Sequence, residues 1–200
     1  IKSSQLSGLT TDQVVALTTD QFGALTTAQL AGAFSTAMIQ ALSTDQFSQL
    51  SSSDLSALTA TQVTAIETDD LVSLSTSQLA GLKSSQMAAL SSVQITALTT
   101  KQVTALNSLQ LNSLSANQIK AIETDDLIAI TTATIAKLTT AQIANLSINQ
   151  IQALTTGQFA SLTTAQLVSG FSTAMIQALS TDQLAQLDAT DIASLSVNQF

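Results

Sequence analysis

Cysteine, histidine, proline, tryptophan, tyrosine and arginine are all absent from the 200-residue sequence. Each absence closes a route. Without Cys there is no disulfide framework and no thiolate zinc site. Without His there is no imidazole ligand and no His-based catalytic triad, and without Arg no bidentate clamp for phosphate or carboxylate. Charge is also scarce: 9% of residues are charged, against roughly a quarter in average soluble proteins. Five Lys against thirteen acidic residues leave a net charge of −8, so the basic footprint of a nucleic-acid-binding protein is missing and nucleic acid is not an expected partner. No apolar run approaches the roughly 18 residues of a membrane helix. The chain opens Ile1-Lys2-Ser3-Ser4, without the basic leader of a signal peptide. Zero cysteines fit a secreted bacterial protein that avoids thiol chemistry, but many cytosolic proteins also lack them.

What is present is a period. Large apolar residues recur at Leu9, Leu17 and Leu25, then at Leu42, Leu50, Leu58, Ile66 and onward to Leu195 in steps of eight. The step widens to nine twice, in the units at residues 25–33 and 162–170. Counting from Ile1 gives 25 units across residues 1–200, the last stopping at Phe200, with no linker or shift in composition. The sequence therefore reads as one continuous array, expected to be a segment of a longer chain.

A typical unit is Leu9-Thr10-Thr11-Asp12-Gln13-Val14-Val15-Ala16. Position 2 is Ser or Thr in 19 units, position 5 is Gln in 18, and position 6 is always large and apolar. Ser/Thr followed three residues later by Gln is a helix capping box, in which the hydroxyl accepts from the N3 amide and the Gln side chain reaches back to the N-cap amide. The apolar residues at positions 1 and 6 then fall at N′ and N4, forming a hydrophobic staple such as Leu9 on Val14. Every octad thus reads as its own helix start. One long helix is excluded, because at about 100° per residue the pattern drifts by roughly 80° per unit and leaves no lasting buried face. A β-solenoid is the alternative, favoured by Thr, Val and Ile. However, the apolar spacings of five and three would point positions 1 and 6 to opposite faces of a strand. The expected fold is an all-α solenoid of very short capped helices.

Two departures supply candidate sites. The stretch Leu25 to Leu42 is nearly repeated at Leu162 to Leu179, 137 residues on, and each copy holds a nine-residue unit followed by one with Met in place of Gln. Segment duplication accounts for the pair; the functional reading is a bend or lateral contact exposing Phe34, Met38, Phe171 and Met175 for assembly. The second departure is acidic: Glu67, Asp69 and Asp70, echoed by Glu123, Asp125 and Asp126. Three carboxylates in four residues are a candidate calcium site, although acidic residues in a first helical turn also simply suit the helix dipole. No other cofactor is expected. No Ser stands three residues before a Lys, and the six glycines are isolated, so neither a Ser–Lys nucleophile nor a phosphate-cradling loop is spelled. The chain is not expected to be an enzyme.

The phrase Leu9 to Leu17 looks like the first helix of transcription-activator-like effector repeats, but their period of about 34 residues is missing. Across all 25 units the tandem L-[ST]-[ST]-x-Q-[IVLF]-x-A octapeptides resemble low-complexity repeat regions of very large bacterial secreted or surface proteins of the RTX-adhesin type. That resemblance implies an extracellular or cell-surface location and a role as an adhesin, matrix or filament segment. From the residues themselves, repetition without reactive groups points to a structural stalk, spacer or filament segment. Its partners would be further repeats or second copies, since Ile1 begins in register and Phe200 stops at position 6. The competing class is a binding module, with a uniform face for a glycan, a protein or ice.

Overall fold

The computed structural model describes residues 2–199; the terminal anchors Ile1 and Phe200 lie outside them. The described residues form twenty-four α-helices, each four to seven residues long, and one short 3-10 turn, Val197–Gln199, with no strand among them. The β-solenoid alternative is thereby removed. Helices this short do not survive alone, because nucleation costs more than one or two turns return, so their stability comes from neighbours.

The caps form where the octads place them. In the helix Thr11–Val15, Thr10 Oγ1 accepts from the Gln13 amide at 3.3 Å, and Gln13 Oε1 accepts from the Thr10 amide at 2.9 Å. The same pair recurs in unit after unit, as at Ser91 with Gln94 and Thr139 with Gln142. Where the N-cap is Glu67 or Glu123, no side-chain cap bond is made. Corners between helices need no special residues. Between the helices Ser92–Ala97 and Thr100–Thr104, Leu98 (φ −60°, ψ 137°) and Thr99 (φ −72°, ψ 155°) turn the chain in an extended, polyproline-like conformation. No described residue has a positive φ. That is why a fold with a corner every eight residues manages with six glycines.

The chain forms two compact units, Ile1–Leu106 and Asn107–Phe200. Within each, a helix packs on the third helix along, as Thr27–Ala33 does on Ser52–Ala57 and Thr140–Ile143 on Thr164–Gly170. Each unit is therefore a solenoid. Positions 1 and 6 of the octad line its interior: Leu71, Leu74, Leu79 and Leu82 are buried in the first unit, and Ile143, Leu146, Ile151 and Leu154 in the second. Each such side chain contributes about 1.5–3 kcal/mol relative to exposure.

The two nine-residue units absorb their extra residue inside the helix. Thr27–Ala33 and Thr164–Gly170 are the two seven-residue helices among the described residues. Lengthening each helix seats the following Phe inward. Phe34 meets Phe22 edge to face at 6.1 Å, and Phe171 meets Phe159 at 5.9 Å. Phe34, Met38, Phe171 and Met175 are all buried. The expected exposure of these four for lateral assembly is corrected accordingly: they are core.

Candidate functional site

Built on the capping boxes, and repeated within both units, is a seam of glutamine side chains joining successive coils. Gln150 shows its parts. Its Oε1 accepts from the Ser147 amide at 2.8 Å, closing the capping box. Its Nε2 donates backward to the carbonyl oxygens of Ile119 at 3.0 Å and Ile122 at 2.8 Å. One side chain thus caps its own helix and ties it to the C-terminal end of the helix four back, Ala116–Ala121. Gln86 does the same to Leu55 and Leu58, both at 2.7 Å, and Gln102 to Leu71 and Leu74 at 2.9 and 2.8 Å. In the second unit Gln142 and Gln158 repeat it. Since helices pack on the third along while glutamines reach the fourth back, one superhelical turn holds between three and four helices.

Burial makes these bonds matter. Most of the seam glutamines are nearly inaccessible, Gln158 being 1% exposed while Gln78 is half-buried, and a buried amide without partners costs about 1–3 kcal/mol. The octad allowed the signal to be seen. Glu closes a capping box as well as Gln does and suits a helix N-terminus better, yet no unit carries Glu at position 5. A carboxylate has no N–H to give the preceding coil; the amide has.

Asp replaces Gln in four units, and in three of these the bond to the preceding coil reverses direction. Asp54 Oδ1 accepts from the Thr27 hydroxyl at 2.6 Å, Asp70 Oδ1 from Thr44 at 2.8 Å and Asp191 Oδ1 from Thr164 at 2.7 Å. Each donor opens the helix three back, beside the same corner that a glutamine would reach. Two of these carboxyls are displaced in opposite directions. Burial pushes Asp70 above its usual value, helped by the nearby charges of Glu67 and Asp69, and the Thr44 hydroxyl offsets this only in part. At Asp54 burial also acts upward, but hydrogen bonds from Ser51 and Thr27 outweigh it and hold the carboxyl below its usual value. Met38 and Met175 also stand where Gln is expected. Their amides are still capped by Ser35 and Ser172, at 3.2 and 3.3 Å.

The acidic triplets are not brought together as ligands. Asp70 and Asp126 are buried, whereas Glu67, Asp69, Glu123 and Asp125 lie exposed. Among the described residues no group of three or more acidic side chains is placed to hold a metal ion. Glu67 and Asp69 border a shallow open depression with Thr68, Val93 and Gln94. No helix among the described residues is long and apolar enough to cross a membrane.

A family model described as the ALTTAQ repeat matches residues 1–27, 63–100 and 119–164, together more than half of the chain. Comparison with curated proteins returns no match.

Proposed function

The chain belongs to the ALTTAQ repeat family, and from that premise we propose that it serves as a spacer or stalk segment of a bacterial surface or secreted matrix protein. The observation that carries this reading is the uniformity of the seam. Gln62 binds the Phe34 carbonyl 28 residues back, Gln94 that of Ile66 at the same distance along the chain, and Gln199 that of Phe171. A device repeated from coil to coil within each unit sets a distance rather than a chemistry, because stability accrues octad by octad through nearest neighbours. The low charge density removes much of the self-repulsion that would oppose close packing of such arrays.

The experiment compares this chain with arrays carrying additional octads, by small-angle scattering. A spacer lengthens in proportion to its units at constant cross-section; a cross-section that grows with unit number overturns the reading. The location is tested separately, by whether antibody against the repeat labels intact cells and whether external protease removes that label.

A further inference from the structure

We propose that the solenoid is an extensible spring: under tension it opens coil by coil and rewinds on relaxation, and the coils held through Met38 and Met175 open at lower tension than those with a glutamine in that place. This inference rests on the spacer reading and gives the spacer a mechanical function.

Within each compact unit the ties between coils are short in sequence and alike. Gln142, Gln150, Gln158 and Gln166 reach the carbonyls of Leu114, Ile122, Ile130 and Leu138, each 28 residues back, at 2.6–3.1 Å. The longest side-chain bonds described span 32 residues, and without Cys no covalent staple joins one coil to another. Successive coils of a solenoid stack along its axis, so these bonds lie along the direction in which a stalk is loaded. Tension therefore acts on each coil-to-coil contact separately, and parting one leaves contacts further along intact. A parted coil melts, because helices of four to seven residues do not persist alone. Releasing 28 residues yields roughly 90 Å of contour, at about 3.4 Å per extended residue less the roughly 10 Å that a packed layer of helices occupies. Rewinding meets no slow step, since Pro is absent and each contact lies close in sequence.

The ties are not equal. Met38 and Met175 occupy position 5 and are buried, but a thioether has no N–H to give the preceding coil. One octad on, Gln183 reaches Ile151 and Leu154, 32 and 29 residues back. In the same register a glutamine at 175 would reach Ile143 and Leu146. Leu146 is buried, and its carbonyl receives no donor among the described residues. A tie that remains there, from Gln152 Nε2 to the Ala178 carbonyl at 3.1 Å, is exposed, so water replaces it when the coil parts. Met38 stands alike in the first compact unit, one octad before Gln46, whose bonds to Val14 and Leu17 also span 32 and 29 residues. The octads of Asp54, Asp70 and Asp191 differ from both, because threonine hydroxyls of the preceding coil supply their tie. Each compact unit thus holds one methionine octad, directly after its seven-residue helix.

The test tethers the 200-residue chain by its two ends in optical tweezers. It is expected to lengthen in increments of roughly 90 Å of contour and to shorten through the same increments as tension is relaxed. Met175→Gln supplies the missing donor in the second compact unit, and Met38→Gln does so in the first. Each should lower the open-to-closed ratio of its own coil about tenfold at a fixed tension. Gln158→Met is the converse and should raise that ratio for its coil by a similar factor, with far-UV circular dichroism checking that the variant retains its helices. Opening of a whole compact unit in one event, an extended chain that does not rewind, or methionine-to-glutamine variants that open as the unmodified chain does would each overturn the spring. The scattering test of the spacer is made on resting protein, so growth of length with octad number stands or falls whether or not the chain yields to tension.

Discussion

Replacing Gln150 by Ala, set against Ser147→Ala in the same unit, separates the seam from the cap. Ser147→Ala removes the hydroxyl that accepts from the Gln150 amide at 3.2 Å. Losing an N-cap of this kind costs about 1 kcal/mol. Gln150→Ala removes two bonds of different character. The Ser147 amide loses Oε1, but Ser147 is exposed and water replaces the acceptor, so this part again costs about 1 kcal/mol. The Ile122 carbonyl loses its donor at 2.8 Å inside the coil, where Ile122 is buried and water does not follow; leaving such a group unpaired costs about 1–3 kcal/mol. Ile119 suffers less, because its carbonyl also accepts from the Ile122 amide. The expected loss is therefore about 2–4 kcal/mol for Gln150→Ala, against about 1 kcal/mol for Ser147→Ala. Urea unfolding followed by far-UV circular dichroism measures both, and comparable m-values confirm that the same structure melts. Equal losses for the two variants would refute the inter-coil role of the amide and leave Gln150 as a helix cap alone.

Glycine substitutions give opposite signs at two positions. A Cβ at Gly81 would sit 2.6 Å from Ser52 Cβ and 2.8 Å from its carbonyl oxygen, so Gly81→Ala should destabilise by about 1–3 kcal/mol. A Cβ at Gly157 meets only the Thr132 methyl at 3.7 Å, so Gly157→Ala should stabilise by up to about 1 kcal/mol through helix propensity; thermal melts compare the pair. The raised carboxyl of Asp70 disfavours the fold once ionised, so its cost is absent below the usual value of 3.8 and appears as pH rises through the folded value. Asp70→Asn should accordingly stabilise at neutral pH, with an advantage that fades on acidification; urea midpoints showing an advantage that grows in acid would contradict this. Asp54 carries the opposite sign. Its lowered value contributes stability above 3.8 that is lost as pH falls through the folded value. Thr27→Ala should therefore cost most at neutral pH and least in acid, read from urea midpoints across that range.

Much of the fold was legible because the octad spells a local motif. Thr10, Gln13 and Val14 announce a helix start whatever surrounds them, and among the described residues every such start formed an α-helix except Ser196 with Gln199, which opens a 3-10 turn. The seam was harder to see. A capping box accounts for both hydrogen bonds that join Gln13 to Thr10 among the described residues, and it explains Gln150 only by half. The remaining half depends on which coil lies behind it, and superhelical pitch is not a property of eight residues. Phe34 and Met38 were misplaced for a related reason. A nine-residue spacing suggests a bulge in the array, but a helix takes up an added residue by extending, and the packing of Phe34 on Phe22 then draws the aromatic inward. The acidic triplets looked like ligands because spacing places charges near one another in sequence. At Asp70 the side chain is instead turned toward Thr44, a partner 26 residues away.

Consider the polyproline-like corners together with the short reach of the seam. Each bond made by a seam residue to a preceding coil spans 26 to 32 residues, and no corner depends on a particular glycine or proline. A gene encoding such a protein tolerates slippage by an octad. The inserted or lost unit gives the glutamines of the next four or so units carbonyls of the same kind as those they gave up, glutamines further along keep their own, and the search needed during folding is no longer than before. Length can therefore drift in steps of eight without a new folding problem, whereas a single added residue has to be taken up inside a helix, as Thr27–Ala33 and Thr164–Gly170 do.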